Sequence, residues 1–146
     1  MYRRILIALE NSPTDKAILD HVRLLAKSCS ASLVFVHVAD GWAARNVRQL
    51  AMRESAEIRE DREYIERISA AFEDEGFESE AVLAGGDPAT EIASLADQEK
   101  CDLIAMSTHG HRFFADFLYG SVASEVRHLS MVPVLLVRAP SPGSAK

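Results

Sequence analysis

Five short apolar runs, separated by stretches of helical periodicity, leave this chain very few folds. The runs are Arg4–Leu9, Ser32–Val38, Glu78–Ala84, Leu103–Met106 and Val132–Val137. Four of them are nearly unbroken in apolar residues, as expected of strands covered on both faces of a parallel sheet. Glu78–Ala84 alternates and is more polar, which suits a strand near an edge. Between the runs, apolar residues recur at helical spacing. Ile18, Val22, Leu25 and Cys29 form the stripe of a first helix, with Ser12 or Thr14 as its cap and Pro13 near the first turn. Ile58, Ile65, Ile68 and Phe72 mark a long second helix, roughly Arg45 to Glu75, stopped at Gly76. Asp87-Pro88 opens a third helix with Ile92, Leu95 and Ala96 on its apolar face. A fourth starts near Gly120-Ser121 and buries Val122, Val126 and Leu129. Strict alternation of strand and helix predicts right-handed crossovers in a single-domain, doubly wound α/β fold: a five-stranded parallel sheet flanked by four helices.

The length of 146 residues fits one domain with one core. We expect that domain over residues 1–138, followed by a disordered tail, Ala139–Lys146, of small and proline-bearing residues. No apolar run approaches the ~20 residues of a membrane span. The N-terminal run Ile5–Leu9 ends at Glu10 and is too short for a secretion signal, so a first strand and a cytoplasmic protein are expected. Cys29 and Cys101 have no metal-ligand spacing and read as small apolar residues in a reducing compartment. The net charge of −6 argues against nucleic acid as a partner, since such a surface is basic.

In an open α/β sheet, ligands bind beyond the carboxyl ends of the strands, where the strand order reverses. Three strand ends matter: Ala8-Leu9-Glu10-Asn11-Ser12, Val38-Ala39-Asp40 and Met106-Ser107-Thr108-His109-Gly110. The last leads, nine residues beyond Gly110, into Gly120-Ser121 and a helix. Glycines flanking a loop between a strand end and a helix start let the backbone approach a phosphate, and a helix N-terminus offers it unpaired N–H groups. His109 and His111 lack nearby carboxylates or thiolates to complete a metal site. No catalytic residue is assigned: neither a strand–turn nucleophile with its histidine and acid nor an H-E-x-x-H is present. The first strand runs into ENSPTDKA, without the glycines of a dinucleotide or Walker-type loop.

Four segments together resemble the universal stress protein family: ILIALENSPTDKAI, FVHVAD, GDPATEIASLADQEKCDLIAMSTHG and GSVASEVRHLSMVPVLLVR. Its nucleotide-binding branch has glycine, two residues, glycine, nine residues, glycine, then serine or threonine. This chain keeps the spacing and departs at the first glycine, which is Ser107. The resemblance implies an ATP site. Val38 and Ala8 would lie by the adenine and Glu10, where the family usually has aspartate, on the adenine or ribose side. Met106, Ser107 and Gly110 would line the ribose and phosphates, while Gly120, Ser121 and Val122 would present the helix N-terminus. Mg2+ or Mn2+ would arrive with the phosphates rather than in a protein cage. At Ser107 three consequences stay open: strain if the position needs a positive φ, a Cβ that blocks close approach, or a hydroxyl that donates to a phosphate.

The resemblance further implies a homodimer through the Val132–Val137 strand. Pro133 cannot donate to a ladder, so that strand belongs at an edge, and an open edge needs a cover. The expected function is a non-enzymatic, ATP-binding homodimeric module of the stress response. The alternative is a dimer of the same fold that has lost the nucleotide and serves protein interaction.

Overall fold

The computed structural model describes residues 1–40, 51–108 and 114–140. Its strands are β1 (Arg4–Ala8), β2 (Ser32–Asp40), β3 (Ser79–Gly86), β4 (Leu103–Thr108) and β5 (Val134–Arg138). Its helices are α1 (Asp15–Cys29), α2 (Ala51–Asp74), α3 (Pro88–Gln98) and α4 (Phe114–Leu129). All strand pairs are parallel, in the order β3-β2-β1-β4-β5. The sheet and the flanking helices are those expected from the alternation, with the polar β3 at one edge and β5 at the other.

The pleat explains why the central strands carry unbroken apolar runs. Ile5, Ile7, Leu33, Phe35, Leu103 and Ala105 face one core with Ile18 and Val22 of α1 and Ile65 and Phe72 of α2. Their neighbours Leu6, Ala8, Val34, Val36, Ile104 and Met106 face a second core with Ile92 and Ala96 of α3 and Val126 of α4. Successive side chains of a strand point to opposite faces, so a strand between two helical layers needs an apolar residue at every position.

Helix ends follow the expected local chemistry in two of four cases. Asp87 caps α3, its carboxylate accepting from the Thr90 backbone N–H at 3.0 Å, with Pro88 in the first turn. Gly76, at φ +100°, stops α2 in a left-handed conformation that favours glycine. The expected start of α2 near Arg45 lies outside the described residues. At α1 the expected cap is corrected: the helix follows Thr14, but neither hydroxyl caps it. Ser12 and Thr14 instead bond each other at 2.7 Å, and Asp15 does the polar work. The expected start of α4 is corrected too. It begins at Phe114, six residues earlier, because Phe114, Leu118, Val122 and Val126 recur at every fourth position and no proline interrupts them. Strand β5 is likewise offset from the apolar run: it begins at Val134, after Pro133, whose carbonyl accepts from Ile104 N–H at 2.9 Å.

Candidate nucleotide site at the strand C-termini

The order of the sheet reverses between β1 and β4: chain order runs outward through β2 and β3 on one side and through β5 on the other. The crevice expected for a ligand therefore lies above the C-terminal ends of these two central strands. One step beyond the paired Ile7 and Ala105 come Ala8 and Met106, both buried. The pleat turns both side chains toward α3 and α4, where Val38 and Val122 pack against the same cluster. Four of the residues assigned to the site thus meet in one apolar group.

The others lie differently. Ser107 follows Ala105 on the opposite face, toward α1 and α2, and pairs across the ladder with Val137 of β5. It is fully buried, and its hydroxyl has no hydrogen-bond partner among the described residues. Among the described residues, the positive-φ residues outside glycine are Asn11, Ser30 and Lys100, so Ser107 carries no left-handed strain. Glu10 is partly buried on the β1–α1 loop, where the Thr14 hydroxyl donates to its carboxylate at 3.5 Å. Gly110 lies outside the described residues, as do His109, His111 and Arg112. Gly120, Ser121 and Val122 sit in the seventh to ninth positions of α4 rather than in its first turn. In an α-helix only the first four N–H groups lack an intrahelical acceptor, so these three are committed to the helix in this conformation.

A polar network stands beside the site that sequence reasoning missed. The Asp15 carboxylate, 1% exposed, reaches back over its own loop. It accepts the backbone N–H groups of Glu10 at 3.0 Å, Asn11 at 2.9 Å and Ser12 at 3.4 Å. Asn11 makes this possible by adopting φ +61°, a conformation asparagine tolerates better than most residues. Tyr64 of α2 donates its hydroxyl to the same carboxylate at 2.6 Å. Burial first, and then the bond to Asp15, push the Tyr64 phenol well above its ordinary range, so it remains a donor. Among the described residues no cation pairs with Asp15. Three N–H dipoles, one hydroxyl and the positive end of α1 hold the charge instead. One turn earlier on α2, Asp61 accepts from the Asn11 amide at 2.9 Å and lies 3.3 Å from Nε2 of His37, whose Nδ1 donates to the Leu9 carbonyl at 2.9 Å. That bond ties His37 of β2 to the backbone just beyond β1. The only sequence signal for Asp15 is an acid in a first helical turn; nothing local pairs it with a tyrosine forty-nine residues away.

A groove of about 540 Å3 lies at the opposite end of the sheet, lined by Arg3, Arg23, Lys27, Glu75 and Glu78 among others. It sits by the N-terminal ends of the strands, away from the reversal point, and its charges are mixed.

The model of the universal stress protein family matches residues 1–138. The chain belongs to the universal stress protein family. It is 28% identical to universal stress protein MJ0577 of Methanocaldococcus jannaschii, over 94% of this chain and 96% of that one. The solved structure of MJ0577 superposes with a TM-score of 0.78 at 29% identity, covering 94% of this chain and 96% of that one. A universal stress protein in complex with cAMP superposes with a TM-score of 0.61 at 20% identity, covering 93% and 96% of the two chains. That of Archaeoglobus fulgidus in complex with dAMP gives 0.69 at 22% identity, covering 93% and 98%. At these lower identities the likeness establishes the shared fold. Among the described residues, no helix is long and apolar enough to cross a membrane.

Proposed function

We propose that this universal stress protein binds an adenine nucleotide, ATP in the first instance, and works as a homodimeric regulatory module of the stress response rather than as an enzyme. The observation that carries this reading is the convergence of Ala8, Val38, Met106 and Val122 on one apolar group beside the point where strand order reverses. Such a floor suits a purine. Relatives of the same fold hold cAMP and dAMP, which supports an adenine ligand. Glu10 supplies an acceptor at the edge of that floor. The glycine-flanked loop, with the backbone of Ser107 and with Gly110, Gly120 and Ser121, would face the phosphates, with Mg2+ or Mn2+ bound through the phosphates themselves.

The test is to denature freshly purified protein, identify released small molecules by mass spectrometry, and titrate stripped protein with ATP and Mg2+ by calorimetry. Co-purified adenine nucleotide, or binding in the micromolar range, is the expected result. No binding at millimolar ATP would refute it.

One observation favours the second reading, a protein-interaction module without nucleotide. With α4 beginning at Phe114, the N–H groups of Gly120, Ser121 and Val122 are already spent on the helix. Phosphate binding therefore requires the residues before Gly120 to leave the helix, and a chain that never does so gives the negative calorimetric result.

The dimer reading rests on β5. It is an edge strand, its Leu136 is 45% exposed, and Leu129 and Met131, which precede it in the chain, are 55% and 100% exposed. An open apolar edge of this kind is normally covered. Light scattering should give twice the chain mass for the wild type and the monomer mass for Leu136→Glu; a monomeric wild type refutes the dimer.

A further inference from the structure

We infer that Tyr64, acting through Asp15, is a positioning residue for the ligand site: its hydroxyl fixes the conformation of the β1–α1 loop that carries Glu10. The inference rests on the nucleotide reading above and names a residue that the family pattern does not.

The loop from Leu9 to Thr14 has no regular structure to hold it. Its shape is set by where its backbone N–H groups go, and three successive ones, from Glu10, Asn11 and Ser12, go to a single buried carboxylate. Asp15 is therefore the internal anion around which the loop is wrapped. A carboxylate with no cation beside it among the described residues depends on every donor it has, because each lost bond leaves buried charge less compensated. The Tyr64 bond, at 2.6 Å, is the shortest of the four and the only one from outside the loop. Asp61, three residues before Tyr64 and so on the same helical face, grips the loop a second time through the Asn11 amide. Helix α2 thus holds the loop at two points, and the Tyr64 ring is itself packed against the α1/α2 core. Three of the loop's N–H groups are consumed internally, and the loop carries the Glu10 carboxylate, to which the Thr14 hydroxyl donates. A displacement of Asp15 moves the backbone N–H of Glu10 directly, and the carboxylate with it.

The experiment compares wild type, Tyr64→Phe and Ile65→Val, the last a core change next door that loosens α2 without touching the network. Tyr64→Phe keeps the ring and removes only the hydroxyl. Two readouts are taken: ATP–Mg2+ affinity by calorimetry and exchange rates of the Asn11 and Ser12 amides by NMR. Tyr64→Phe is expected to weaken ATP by roughly tenfold and to speed both exchange rates by a similar factor. Ile65→Val should leave affinity within about twofold. If the wild type binds and folded Tyr64→Phe binds equally well, this inference fails and the nucleotide reading stands. If Ile65→Val weakens ATP as much as Tyr64→Phe does, the effect is general loosening and the inference again fails. If the wild type binds no nucleotide, the reading and the inference fall together.

Discussion

Replacing Ser107 by alanine should make the nucleotide-free protein more stable. Ser107 has no exposed surface, and its hydroxyl meets no donor or acceptor among the described residues. Moving a hydroxyl from water to such a place costs about 1–3 kcal/mol. Alanine keeps the Cβ and the extended backbone, so the β4–β5 ladder at Val137 is retained. Against the gain stands the small void left by one oxygen, about 0.5 kcal/mol at ~24 cal/mol per Å3. The net expectation is about 1 kcal/mol of added stability, or roughly 3 °C in Tm for a domain of this size. Glycine, the residue of the family pattern, also removes the hydroxyl but adds backbone freedom worth about 0.5–1 kcal/mol in a strand. The expected order is therefore alanine above glycine, with glycine close to wild type. Urea unfolding of stripped protein measures this directly, the midpoint rising at unchanged slope. An alanine variant that is no more stable than wild type, or less so, would show that the hydroxyl already has a partner and would overturn the reasoning.

Three further outcomes follow from the structure. Asp87→Ala should lose about 1 kcal/mol at neutral pH, the usual worth of a cap. The hydrogen bonds from the Thr90 hydroxyl and then its backbone N–H hold the Asp87 carboxyl below its ordinary value. The contribution is thus present above the ordinary carboxylate range and fades as pH falls through the folded value; thermal melts of both proteins from pH 7 to pH 2 should converge at the acid end. Phe72→Ala should lose about 3–5 kcal/mol, since that ring is buried against Phe35 at 4.9 Å and Phe77 at 5.4 Å with the Arg23 guanidinium 4.6 Å above it; urea titration checks it, and a loss below 1.5 kcal/mol would mean the cluster repacks. Burial pushes the Cys101 thiol up to about 11, so at pH 8 a thiol reagent should label the native protein at Cys29 well before Cys101, as read by intact-mass time courses.

The sheet was legible in the sequence because burial on both faces leaves a mark that needs no partner to interpret: unbroken apolar runs, Ile5–Ala8 in β1, Leu33–Val36 in β2 and Leu103–Met106 in β4. The cap of α3 was equally plain, since Asp87, Pro88 and Thr90 act on one another within four residues. The start of α4 was misread because Gly120-Ser121 has the chemistry of a helix start. Six preceding residues of helical spacing outweighed it, and local signals of similar strength are arbitrated only by the whole chain.

Local pattern alone therefore determined the fold and its order of elements, while the four apolar residues beside the reversal point were named through the family resemblance. Tertiary structure decided what surrounds them. Ser107 turns away from Met106 because neighbours on a strand face opposite sides. Asp15 serves its own loop and a tyrosine of α2 rather than solvent. A periodic pattern is a property of consecutive residues and survives in one dimension. A hydrogen bond between Asp15 and Tyr64 is a property of two helices brought to the same side of a sheet, and it exists only once the chain has closed on itself.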